Sequence, residues 1–115
     1  SGGTGRRAIP VRKIYQKLVR DRIPEIIERD GKDYQISQLR GDDLTRFALK
    51  KLREEVQEFV ENPCAEEAAD IEEILQFVCG RLSIGPTAIR AQRLSKCATR
   101  GSFDMGLLLE WVEEE

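Results

Sequence analysis

Two long segments with helical apolar spacing are separated only by the stretch Glu61-Asn62-Pro63-Cys64. The first, from Gly41, carries a stripe at Leu44, Ala48, Leu52, Val56, Phe59 and Val60. The second carries Ala68, Ile71, Ile74, Leu75, Val78 and Leu82. Apolar positions recurring at three and four residues mark amphipathic helices. Pro63 forbids the first helix from running on into the second. A connection this short forces two consecutive helices to lie antiparallel, side by side. The chain is therefore expected to be built around a helical hairpin.

Other helices follow from local signals. In "KLVRDRIPEIIERDG", Asp21 reads as an N-cap, Pro24 lies in the first turn and Gly31 follows the end, giving a short helix from about Arg22 to Arg29. Asp42 or Asp43 is expected to cap the long helix. "PTAIRAQRLSKCATRG" reads as a last long helix that stops at Gly101. The segment around Tyr34, Ile36 and Gln38 reads as a short strand, and "FDMGLLLEWV" as a strand or short helix able to pair with it. The fold class is all-α, an antiparallel helical bundle with a minor short β element. Residues 1–14, rich in glycine at the start, are expected to be a flexible segment, and residues 15–115 a single domain.

With 115 residues and a net charge of −2, the chain offers nucleic acid no general electrostatic attraction. It has no apolar run long enough for a bilayer and no apolar leader, so neither a membrane nor a secretory route is expected. Cys64, Cys79 and Cys97 are widely spaced, in apolar helical contexts. They read as core hydrophobes in a reducing, cytoplasmic compartment. The sequence contains no His. This excludes Ser-His-Asp and Cys-His catalysis and His-ligated metals. Any chemistry must come from carboxylates, Lys and Arg.

The carboxylates are concentrated in the hairpin. Glu54–Glu73 holds nine acids and no Lys or Arg, with Arg53 as the nearest cation by sequence. No His or Lys in the hairpin is expected to neutralise them. With the turn centred near residues 62 and 63, positions whose numbers sum to about 125 face one another. Glu58 then opposes Glu67, and Glu55 opposes Asp70, all at the edge of the apolar stripes. Like charges that close raise their pKa values or push the helices apart. A hard divalent cation with oxygen ligands, Mg²⁺ above all, relieves this. The alternative is that the acids form ordinary solvated helix faces, which suits Glu54, Glu61, Glu66, Glu72 and Glu73.

The same residues carry a family resemblance. "EEVQE" followed by "EAAD" resembles the E-E-x-x-E…E-x-x-D signature of MazG-like, all-α nucleoside triphosphate pyrophosphohydrolases. "KLVRDRIPEIIERDG" and the pattern Lys96, Arg100, Gly101, Phe103 resemble a MazG-like branch related to phosphoribosyl-ATP pyrophosphohydrolases, so the likeness runs from Tyr15 to the C-terminus. It implies Mg²⁺-dependent hydrolysis between the α- and β-phosphates, with Mn²⁺ as a substitute, in nucleotide house-cleaning. It implies Glu55, Glu58, Glu67 and Asp70 as metal ligands, Glu54 as an outer or water-activating group, and a homodimer or homotetramer. Lys96 and Arg100 become phosphate contacts, with Lys17 and Arg20 as further candidates. Eight residues separate Glu58 from Glu67, fewer than is usual in the family, and Ser102 stands where the family's R-G-G-F has a glycine. The contrasting reading is a helical nucleotide-binding or oligomeric partner protein with a degenerate site.

Overall fold

The computed structural model describes residues 11–114. Residues 1–10, most of the segment expected to be flexible, lie outside the described residues. The chain forms four helices, α1 (Ile23–Arg29), α2 (Gly41–Glu61), α3 (Ala65–Arg81) and α4 (Pro86–Arg100). No described helix is long and apolar enough to cross a membrane.

The expected hairpin is present: α2 and α3 pack against each other, and no other pair of described helices does. Its centre is Ala48, Ile74 and Val78, with Leu18 and Leu52 leaning on them. Ala48 is fully enclosed. The far end is tied by Arg81, the last residue of α3. Its Nε donates to Thr45 Oγ1 at 3.0 Å and its Nη2 to the Gly41 carbonyl at 2.9 Å. Both contacts match the antiparallel register deduced from the short turn.

Helix starts differ from expectation. Arg22, not Asp21, occupies the N-cap of α1, and Arg40 that of α2, with no side-chain cap bond at either. Asp42 and Asp43 lie inside the first turn of α2, where their charge meets the positive end of the helix dipole. Gly41 begins the helix with φ of +56°, a conformation that glycine adopts without a Cβ penalty. Gly101 ends α4 with φ of +83°, as expected from the sequence.

The expected β element does not form among the described residues: both 32–40 and 107–114 lack regular structure. An isolated two-stranded ribbon is marginal without a helix or further strands to pack on. Tyr34 instead turns back to α1, its hydroxyl donating to Glu28 Oε1 at 2.7 Å. That bond to a carboxylate, foremost, holds the Tyr34 phenol above its ordinary pKa. The cysteines also depart from expectation. Cys64 and Cys79 are half-buried, and Cys97 is exposed because α4 packs on no other helix.

Candidate metal centre

The hairpin register determines what meets at the closed end. Glu55 comes from α2, and Glu67 and Asp70 from α3, one helical turn apart. One carboxylate oxygen from each lies within 4.8 Å of the others. Glu55 is 5% exposed, the single buried charged residue of the described chain, while Glu67 and Asp70 are half-buried. Glu55 Oε2 and Glu67 Oε2 are both enclosed and have no hydrogen-bond partner. Acceptor oxygens removed from water without a donor are costly, so this pair of orphans calls for a cation.

Two protein cations approach the cluster. Lys51 Nζ lies 3.0 Å from Glu55 Oε1, one turn earlier on α2. Arg20 Nη2 lies 2.7 Å from Asp70 Oδ1. Arg20 precedes α1, and Leu18 two residues earlier packs on the hairpin core, which brings the guanidinium to α3. The expectation that no Lys neutralises the acids is thus corrected. Lys51 lies just outside the acidic run, but its i to i+4 spacing from Glu55 was the signal for an ion pair. Arg20, read as a phosphate contact, spends at least one N–H on Asp70. Neither cation reaches the two orphaned oxygens.

Glu58 lies one turn beyond Glu55. Its carboxyl is held above the ordinary value, chiefly because its protonated form can donate a hydrogen bond to the Glu55 carboxylate, then by the charge of Glu55, slight desolvation and the charge of Glu67. Lys51 opposes the shift. Glu58 is exposed and stands at the margin of the cluster, outside the three oxygens that converge. Glu54 is half-buried on the same helix, outside the convergent group.

The remaining candidates are not gathered here. Lys17 Nζ lies 5.0 Å from the ring centre of Tyr15. Lys96 and Arg100, with Arg93, sit on α4, which makes no helix packing contact within the chain. The structure therefore brings together Glu55, Glu67 and Asp70 and keeps Glu58 and Arg20 adjacent, while Lys17, Lys96 and Arg100 make no ion pair with them. Comparison with protein-family models, curated proteins and solved structures returns no match to this chain.

The donor set suits a hard divalent ion. All three convergent groups offer carboxylate oxygen, the preference of Mg²⁺ and Mn²⁺, with no Cys or His donor to favour a softer metal.

Proposed function

We propose that the chain is a Mg²⁺-dependent nucleoside triphosphate pyrophosphohydrolase that yields a monophosphate and pyrophosphate, working in cytoplasmic nucleotide house-cleaning. The observation that supports this most is the convergence of Glu55, Glu67 and Asp70 within 4.8 Å, with two of their oxygens buried and unpartnered. The reaction class comes from the resemblance of "EEVQE…EAAD" and its flanking blocks.

In this reading Glu55, Glu67 and Asp70 hold the cation, with Glu58 able to join them, and Mn²⁺ can replace Mg²⁺. A bound divalent ion supplies charge neutralisation of the triphosphate oxygens and a Lewis acid beside the α-phosphorus. Glu58 is the candidate base, because it stands at the margin of the three convergent carboxylates, one turn beyond Glu55 on the same helix. Glu54 is the second candidate. The basic residues Lys96 and Arg100, with Lys17 and Arg20, supply phosphate contacts, Arg with the geometry for bidentate bonding.

The test is a panel of nucleoside triphosphates with Mg²⁺, scored for monophosphate and pyrophosphate. Glu55→Ala and Asp70→Ala should each lower turnover at least 100-fold while circular dichroism keeps the helical signal. Full turnover in either variant would remove the assignment, and release of orthophosphate would relocate the cleaved bond.

A second reading rests on a specific contact pair. Lys51 on Glu55 and Arg20 on Asp70 already neutralise two of the three acids. On that reading the site is a degenerate one, held by internal ion pairs in an oligomeric partner protein. It predicts no Mg²⁺ binding by calorimetry and no turnover on any nucleotide.

A further inference from the structure

Mg²⁺ and Ca²⁺ both take carboxylate oxygen, and the width of the acidic cluster does not choose between them. The oxygens of Glu55, Glu67 and Asp70 lie within 4.8 Å of one another. Oxygens on opposite sides of an ion stand about 4.2 Å apart round Mg²⁺ and about 4.6–5.2 Å apart round Ca²⁺. Both arrangements suit that spread. What separates the two ions is how many oxygens each asks of the protein. Mg²⁺ accepts a few single carboxylate oxygens and completes its octahedron with water. Ca²⁺ takes about six to eight oxygens and draws on carboxylates through both oxygens at once.

Two of the three acids are held so that one oxygen is already taken. Glu55 Oε1 lies 3.0 Å from Lys51 Nζ, while Glu55 Oε2 is enclosed and without a partner. This ion pair is shielded, its Lys51 and Glu55 side chains being 19% and 7% exposed. Asp70 Oδ1 lies 2.7 Å from Arg20 Nη2. A divalent ion gripping both oxygens of either carboxylate would sit beside an ammonium or a guanidinium. Like charges that close repel strongly where water is scarce. Among the described residues, Glu67 alone of the three has no side-chain cation on it.

The charge of the cluster points the same way. Three carboxylates and two side-chain cations leave one net negative charge. Calcium affinity is tuned by the charge count of its ligands, so a cluster part-neutralised from within is a poor calcium site.

We propose that Lys51, assisted by Arg20, sets the ion specificity of this site. By engaging one oxygen each of Glu55 and Asp70, they hold both carboxylates to single-oxygen ligation, which suits Mg²⁺ and disfavours Ca²⁺. Both are positioning residues, acting through the acids they touch. Lys51 carries the larger share because its pair is shielded. Arg20 and Asp70 are 56% and 32% exposed, so water competes for their contact. The inference rests on the reading that these acids hold a divalent cation, and not on the reaction proposed for it.

The test is calorimetric titration of the full chain with MgCl₂ and, separately, with CaCl₂, with no nucleotide present. The parent should bind Mg²⁺ at least as tightly as Ca²⁺. Lys51→Met frees Glu55 Oε1, and affinity for Ca²⁺ should rise about 10-fold relative to that for Mg²⁺. Arg20→Gln should move the same ratio in the same direction by about 3-fold, and it covers a folding failure in Lys51→Met because the Arg20 pair is on the surface. Lys50→Met removes an equal charge one residue away, about 100° round α2, where Nζ lies 5.9 Å from the Phe47 ring centre. It should leave the ratio unchanged, which separates contact from net charge. A parent that prefers Ca²⁺ would overturn the proposal. So would a ratio unmoved in both Lys51→Met and Arg20→Gln, or moved as far in Lys50→Met, and the cation site itself would survive these results. Binding of neither ion would remove the proposal and the cation site together. Preference for Mg²⁺, lost in Lys51→Met, in a chain that turns over no nucleotide would support the proposal and remove only the hydrolase reading.

Discussion

Glu55 shows how a residue can be placed by spacing and yet be understood only from its neighbours. Its position at the edge of the α2 stripe was readable, as was its partnership with Asp70. Its pairing with Lys51 is also encoded, by the i to i+4 relation, although Lys51 falls outside the acidic run. Removing that cation leaves a carboxylate 5% exposed without its partner. Lys51→Met should destabilise the metal-free chain by about 2 kcal/mol or more, read from urea midpoints. With Mg²⁺ added, the variant should recover more stability than the parent, since the ion replaces the lost charge. Glu58 makes a separate pH prediction for the metal-free chain. Its folded pKa is raised above 4.5, so the folded state binds its proton more tightly than the unfolded state does. That contribution is present in full below the unfolded pKa. It is lost as pH rises from 4.5 through the raised folded value. Thermal midpoints in EDTA should decline across this window, and Glu58→Gln should flatten the decline.

At the scale of elements, the α2–α3 hairpin carries the order of the chain. Its enclosed centre is three side chains, so a change there is felt strongly. Ala48→Leu would force a larger side chain into the fully enclosed centre of the hairpin and should cost about 1–3 kcal/mol, measured by chemical unfolding. Arg81→Ala removes the two bonds that tie the end of α3 to the start of α2. Both are solvent-exposed, so the loss should be only about 1 kcal/mol, with amide exchange speeding up first in the opening turn of α2. The hairpin was legible because its signals are local: two apolar periods, a proline and a short gap. The expected β ribbon does not form among the described residues, because strand pairing depends on what lies across from each strand. Here Tyr34 finds Glu28 instead, and the tail leaves on α4.

At the scale of the whole molecule, the chain is extended. Its radius of gyration is 21.6 Å, against about 13 Å for a compact domain of 115 residues. A bound ion would therefore act on a marginal structure. Any ion that binds the folded acidic cluster and not the unfolded chain stabilises by mass action, about 2.7 kcal/mol at 100 times the dissociation constant. Differential scanning calorimetry should show the melting temperature rising with Mg²⁺ and saturating, with no rise in Glu55→Ala. An unchanged melting temperature in the parent chain would favour the ion-paired, degenerate site.

Composition, periodicity and one short connection were enough to dictate the hairpin, its antiparallel register and the meeting of Glu55, Glu67 and Asp70, because each is a consequence of helical rotation along a contiguous stretch, while Glu58, the fourth acid expected there, stays at the margin. Which cations meet those acids, and which faces stay open, depended on contacts between distant segments. Arg20 reaches Asp70 across fifty positions of chain because Leu18 docks on the core. Lys96 and Arg100, alike in charge, stay apart because the turn after α3 directs α4 outward. Charge type is written in the residues, but the pairing of charges is settled by packing, since the attraction falls away with distance and is screened by water.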